Sequence, residues 1–480
     1  MNLSEYANYD AVGLAKLIAK GEITSSEVCR CALAAVDRLN PVLNCVVQAY
    51  PERVASLTAK PPSGLLGGVP TLLKDFYKFE KGSLSEGGSE LTRGLRAQYD
   101  SEVVLRLRRG GLIILGRSAV PEMAYSSTCD THIHGRTSNP WDLDTYPGGS
   151  SSGSAAAVAA GIVPIAHASD GGGSIRSPAA YTGLVGLKPT RGRVSDGPDG
   201  ADPTGGMSAN LAVTRTVRDT AAILDVLGGP AIGDPHIAPA PERPFLEEIG
   251  RLPRKLRVAF STHPFDGGIL NGEISKAAQA AAALVRTMGH DVEEAAPVLD
   301  WEPFLKATHV VWSAEVAYGC DSLGLLVGRK PSADNLMRTS WAMYQFGATL
   351  TASDYLSALD EFNTVRRRTG EFFQDWDILI TPTCTQLAAP HAAQNQDLPL
   401  NAEAWSRLVF QNDVFSPVFN VTGQPAISLP LYQTTAGAQI GVQFVARFGD
   451  EATLLRLSAA LEQALPWRDR RPPVHISRVP

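Results

Sequence analysis

Apolar positions along this chain fall into two alternating patterns, one with helical spacing and one of short continuous runs. Over residues 10 to 39, Leu14, Leu17 and Ile18 lie on one helical face and Gly21 stops that run. Thr24-Ser25-Ser26-Glu27 then offers a capping start for a second helix. Residues 102 to 109 form an amphipathic helical pattern, and Leu112-Ile113-Ile114-Leu115 after Gly110-Gly111 reads as a buried strand. The segment after Ser154 is an alanine-rich helix, and Leu211 to Gly228 gives a polar entry followed by a helix.

Near Gly228-Gly229-Pro230 the composition shifts, and a proline-rich passage follows. Lys255 to Ser261 restarts the alternation as a strand, with a helix from about Glu273 to Met288 and a strand near Asp291. Residues 301 to 370 are helical and rich in aromatics. Strands are expected over 377–382, 426–431 and 440–446. Strands alternating with helices indicate an α/β fold. No internal repeat is present. The region 230–410 is expected to be an insertion on the same sheet, within one domain spanning residues 1–480.

The chain has 480 residues, 44% of them hydrophobic, which is enough for a large core. Its net charge is −6 and no basic block occurs, so nucleic acid is not an expected partner. Six cysteines are scattered without a C-x-x-C pair, the usage of a reducing compartment. The N-terminus lacks the basic start and apolar core of a signal peptide. The run Ala155 to Ala168 is broken by Gly161 and Pro164 and is too short to span a bilayer. A soluble cytoplasmic protein, with no membrane partner, is the expectation.

Candidate chemistry is concentrated in two glycine–serine stretches. The first is Gly148-Gly149-Ser150-Ser151-Ser152-Gly153-Ser154, and the second is Asp170-Gly171-Gly172-Gly173-Ser174-Ile175-Arg176. Such composition commonly marks a flexible linker, but apolar sequence flanks both stretches and implies burial. Glycine lets backbone approach a ligand closely, and successive N–H groups can converge on a developing oxyanion. Upstream, Leu65-Leu66-Gly67-Gly68-Val69-Pro70-Thr71-Leu72-Leu73 ends in Lys74. Taken by itself, such a lysine marks where a strand meets water.

These three elements in this order, with Gly186-Leu187-Lys188-Pro189-Thr190 after them, resemble the amidase signature family, hydrolases with a Ser–cis-Ser–Lys triad. The core of the resemblance covers residues 68–220. It implies a large mixed β-sheet with helices on both faces, and no cofactor or metal. It also implies Ser174 as nucleophile, Ser150 on a cis peptide as proton relay, and Lys74 as a base that burial keeps neutral. Asp75 is expected to face away from that lysine. The backbone amides of Gly171, Gly172, Gly173 and Ser174 are expected to form the oxyanion hole, with Ser151, Asp170 and Arg176 supporting the loop. Ser152 and Ser154 are read as caps and hydrogen-bond supports. His167 is assigned a structural role, and His132 and His134, two apart, lack a third ligand pattern.

Two positions depart from the family pattern. The family usually has glycine at Ser152, so a different local turn is expected there. It usually has a larger residue at Gly171, so extra room beside the scissile carbonyl is expected.

The pocket is expected to draw on Ala124 and Tyr125, and on aromatic faces such as Trp312 and Trp341 from the variable helical region. Tyr318, Met343, Tyr344 and Phe346 belong to the same aromatic set. Thr339-Ser340-Trp341-Ala342-Met343 and Ala464-Leu465-Pro466-Trp467 resemble the branch of the family that contains nylon-oligomer (6-aminohexanoate cyclic dimer) hydrolase. The implied substrate is a small, neutral, apolar amide, with carbamates (urethanes) and esters as side activities, acted on by a monomer or homodimer. Three alternatives stand beside it: the glutamine-hydrolysing subunit of a tRNA-dependent amidotransferase, a carboxylesterase, and an inactive binding protein.

Overall fold

A computed structural model describes residues 1–57, 62–198, 200 and 202–478. Among the described residues thirteen strands are formed in chain order: β1 (Val46–Ala49), β2 (Pro70–Lys74), β3 (Ile113–Ser118), β4 (Asp130–Thr131), β5 (Gly135–Arg136), β6 (Ile165–Asp170), β7 (Val185–Lys188), β8 (Ala209–Thr214), β9 (Arg257–Phe260), β10 (Asp291–Glu294), β11 (Ile378–Pro382), β12 (Ala426–Gln433) and β13 (Gln439–Ala446). β4 and β5 make a small hairpin. The other eleven form one mixed sheet in the order β1-β3-β2-β6-β8-β7-β12-β13-β11-β9-β10. This is the α/β architecture expected.

β2 runs parallel to β3 on one side and β6 on the other, with Thr71 opposite Ile165 and Leu72 opposite Ala166. β6, β8, β7 and β12 then pair antiparallel. β9 joins the same sheet through parallel pairing with β11, and β10 pairs parallel with β9. Every residue of β2, β3, β8 and β11 is buried, which accounts for their unbroken apolar runs. That burial also corrects one expectation: Ala209–Thr214 is a strand, and helix begins only at Val217, behind the Thr216 cap. The Thr24 capping box forms as expected, with Thr24 and Glu27 bonded reciprocally.

Because β2 and β6 are parallel neighbours, Lys74 and Asp170, their last residues, emerge at the same end of the sheet. The helix Ser152–Ala159 brings its own N-terminus to that end. It packs directly on backbone: a β-carbon on Gly153 would lie 2.3 Å from both Ala119 N and Cys45 O. The alanines that follow continue this close approach.

The insertion adds helices Trp301–Val327, Arg338–Gly347 and Ala352–Asp375, which pack on one another. Trp301–Val327 is long and apolar enough to cross a membrane by length and composition, and half of its most apolar window is buried here.

These glycine environments give a paired expectation. Gly153→Ala should destabilise the fold by ~1–3 kcal/mol, because neither backbone neighbour can move aside. Gly370→Ala, in an exposed helical position with nothing within 4 Å of the added carbon, should stabilise by up to ~1 kcal/mol. Denaturant unfolding of both variants checks the contrast.

Candidate active site

Lys74 does not meet water: it is fully buried. Its Nζ lies 2.7 Å from Ser150 Oγ, 3.0 Å from Ser169 Oγ, 3.1 Å from Ser151 Oγ and 3.4 Å from the Ser169 carbonyl. All four partners are neutral oxygens. Burial therefore drives the pKa of this lysine down to about 7, against an opposing pull from Asp170 and Cys129. Asp75 is not the opposing charge. Its carboxylate accepts from Arg117 Nη1 at 3.2 Å and from the Glu86 amide at 3.1 Å. The Lys74 amide is bonded at 3.4 Å to Nδ1 of His167, which is itself buried and held neutral, its pKa pushed down to about 3 by burial.

The peptide Gly149–Ser150 is cis. Ser150 and Ser174 both line a cavity of about 280 Å³. No direct hydrogen bond joins their hydroxyls among the described residues. Ser154 supports the sheet end by bonding Ser118 Oγ and the His167 carbonyl, both at 2.7 Å. Ser151 donates to the Ser169 carbonyl at 3.2 Å, and its side chain does not cap the helix. Ser152 enters the helix as its first residue, outside the positive-φ region, so the turn needs no glycine there. Its buried hydroxyl has no hydrogen-bond partner.

The glycine loop is organised by a buried ion pair. Arg176 Nε and Nη2 each lie 2.9 Å from an Asp170 oxygen. Burial pushes the Asp170 carboxyl up, but Arg176 and Asn420 outweigh it and hold the carboxyl well below its ordinary range. Asp170 also accepts from the amides of Gly173 at 2.7 Å and Ile175 at 3.1 Å. The Gly173 amide is therefore engaged, which corrects its place among the expected oxyanion donors. Gly171, Gly172 and Ser174 keep amides without a backbone or side-chain acceptor among the described residues.

Glycine at 171 does not open space beside the serine. A β-carbon there would lie 3.0 and 3.1 Å from the Trp312 ring, and one at Gly172 would lie 2.9 Å from the Phe410 ring. Aromatic rings already fill the room those side chains would need.

Of the expected pocket residues, Ala124 and Trp312 line the cavity with Ser174. Tyr125 stands behind Trp312, stacked at 4.7 Å. Trp341 is elsewhere, stacked on Tyr344 at 5.2 Å, and Met343 is buried in the core. Tyr318 does reach the cavity. Phe76, Tyr77 and Lys78, which follow Lys74 directly, line it too and were missed, as were Asp196, Asp202 and Glu315. Lys78 is paired with Asp196 at 2.9 Å. The cavity is thus less apolar than its aromatics alone suggest. His132 and His134 go separate ways, His132 to Asp397 at 2.7 Å and His134 toward Glu86 at 3.6 Å.

An eleven-stranded α/β sheet, with this lysine and two serine–glycine loops at one end, is the framework of an amide hydrolase. The chain belongs to the amidase signature family; the amidase family model matches residues 27–455. It is 38% identical over 474 residues to the 6-aminohexanoate-cyclic-dimer hydrolase of Paenarthrobacter ureafaciens, covering 96% of each chain. A solved structure of 6-aminohexanoate cyclic dimer hydrolase superposes with a TM-score of 0.92 at 36% identity, over 99% of both chains. A bacterial aryl acylamidase structure matches with a TM-score of 0.84 at 25% identity, over 96% of this chain and 97% of that one. The protein is an amidase acting on C–N amide bonds.

The Lys74 environment sets an expected pH profile. With the neutral amine as proton acceptor, the active fraction falls as pH drops below the lysine's pKa of about 7. The rate constant kcat/KM should therefore fall about tenfold per pH unit on the acid side of that value and level off above it. A profile flat from pH 8 to pH 5.5, with folding unchanged, would contradict the assignment.

Proposed function

We propose that Ser174 attacks the carbonyl of a small amide, and that Lys74 receives the proton through Ser150. The observation that supports this most directly is a fully buried lysine bonded only to neutral oxygens, 2.7 Å from a serine that opens into the cavity beside Ser174. In that arrangement the Ser174 proton passes to Ser150 as the Ser150 proton passes to Lys74. The carbonyl oxygen becomes an oxyanion facing the free amides of the glycine loop. When the C–N bond breaks, the proton returns through Ser150 to the leaving nitrogen and the acyl group stays on Ser174. Water then repeats the sequence and releases the acid. Each preorganised donor at the oxyanion contributes roughly 2.7–4 kcal/mol to lowering the barrier.

The substrate we assign is a small, neutral amide with apolar flanks. Phe76, Tyr77, Met123, Trp312 and Val316 supply apolar contact around the cavity, and the similarity to 6-aminohexanoate-cyclic-dimer hydrolase makes nylon-type oligomers the first compounds to test. Aryl amides follow, with carbamates and esters as side activities, since the same amides can hold any of these oxyanions. A second reading rests on Asp202 and Glu315 at the cavity wall: a substrate carrying a free ammonium group would meet favourable charge there.

Ser174→Ala should lower kcat at least ~10³-fold and abolish labelling by a fluorophosphonate while leaving the fold intact. A variant retaining a few per cent of activity would move the nucleophile elsewhere. A parallel comparison of kcat/KM for cyclic and linear aminohexanoate dimers, an acyl anilide, an aryl carbamate and glutamine decides the substrate class. Glutamine preferred by more than tenfold, about 1.4 kcal/mol, would overturn the apolar reading.

A further inference from the structure

Trp312 stands where the chemistry and the cavity meet. It comes from the long helix Trp301–Val327 and is nine-tenths buried. Its ring is stacked on Tyr125 with centroids 4.7 Å apart and planes 21° apart, and Tyr125 and Phe410 meet in a T-shaped contact with centroids 6.3 Å apart. Trp312 borders two cavities at once. One is the 280 Å³ chamber with Ser150 and Ser174. The other is a small pocket of about 20 Å³, room for about one water, lined by Gly172, Gly173, Ser174, Ser127, Phe410 and Asp413 among others.

Ordinary carbon contacts lie at about 3.5–4.0 Å. A methyl on Gly171 would press on ring carbons Cζ2 and Cη2 of Trp312 at 3.0 and 3.1 Å. The Gly171 backbone lies outside the left-handed region, so conformation does not require glycine there. Close approach of the indole is the constraint instead: an added methyl would force the ring to shift by a few tenths of an ångström. The indole cannot retreat toward Tyr125, because that face is already in stacking contact.

We propose that Trp312 is the partition that limits the size of the acyl group beside Ser174, and that residue 171 is glycine in order to admit its indole. The proposal rests on Ser174 being the nucleophile. It makes Trp312 a specificity-determining residue: shortening it joins the two cavities and lengthens the space available to the acyl chain. Placing a side chain on Gly171 drives the indole into the chamber and narrows that space.

The test is a double-mutant cycle of Gly171→Ala and Trp312→Phe, with Trp312→Ala as the larger truncation. It is read on p-nitroanilides whose acyl groups run from acetyl to benzoyl. Gly171→Ala is expected to lower kcat/KM for the benzoyl substrate about tenfold in the parent and less than about twofold in the Trp312→Phe background. Trp312→Ala is expected to raise the benzoyl-to-acetyl ratio of kcat/KM by about tenfold. An equal penalty for Gly171→Ala in both backgrounds, or an unchanged ratio in both Trp312 variants, overturns the proposal. If Trp312→Ala fails to fold, Trp312→Phe carries the ratio measurement. Two further readouts separate this proposal from the reading it rests on. Fluorophosphonate labelling of Ser174 in the parent tests the nucleophile. The cycle measured on Tm tests the Gly171–Trp312 contact without any turnover: non-additive shifts support the contact, and additive ones refute it.

Discussion

The buried ion pair between Asp170 and Arg176 is the constraint on which the site depends. Both side chains are fully buried, and each spends nearly all of its hydrogen-bonding capacity locally. Arg176 donates to Asp170, to the Ser416 carbonyl, to Gln443 Oε1 and to Asn420 Oδ1. Asp170 accepts from Arg176, Asn420 and the amides of Gly173 and Ile175. A buried pair of this kind adds little net stability, since desolvation offsets attraction, but removing one partner leaves an uncompensated charge. Its role here is geometric. It ties the last residue of β6 to the first turn of the helix Arg176–Thr182, so five loop residues have almost no freedom. Three turn-forming glycines would otherwise leave Ser174 poorly located.

The same pair explains how Lys74 can be neutral beside a carboxylate. Asp170 is the charge that would favour a protonated lysine, yet its negative charge is already neutralised by Arg176 within 3 Å. Burial, which disfavours the ammonium, outweighs the pull that is left at Lys74. Asp75, adjacent in sequence, is similarly taken up by Arg117. Two arginines thus draw both neighbouring carboxylates into ion pairs of their own. Burial is the main cause of the low pKa at Lys74, and the ion pair at Asp170 limits the charge that opposes it.

Much of this was legible in the chain. Continuous apolar runs marked β3, β11, β12 and β13 because those strands are covered on both faces, and the Thr24–Glu27 box announced its helix. Leu211–Val213 is equally apolar, but the helical pattern that follows masked it, and a three-residue run is too short for periodicity to separate strand from helix. The glycine–serine stretches and Lys74 pointed to the site through their order, although sequence could not show that β2 ends inside the protein rather than at its surface. The pocket was the least legible part. Trp301–Val327 is apolar on nearly every side, so spacing did not tell that Trp312 faces the cavity while Trp341, on another helix, stacks away from it. Phe76 and Tyr77 carried a usable signal: a chain leaving β2 at the end where Lys74 acts must pass along the cavity wall.

The candidate catalytic groups and the wall of the cavity come from different parts of the chain. Lys74, Ser150 and the glycine loop sit on β2, β6 and the short helix between them, where a β-carbon on Gly153 or Gly149 would strike backbone. Those positions tolerate no change of shape. The insertion supplies Trp312, Glu315, Val316 and Tyr318 from one helix surface, whose partners are mostly other side chains, and side chains can repack. The outer wall can therefore be rebuilt for another substrate while the sheet end is unchanged, except where the two parts touch. Gly171 beneath Trp312 and Gly172 beside Phe410 are such contacts, points at which a change of pocket is also felt by the loop that holds Ser174.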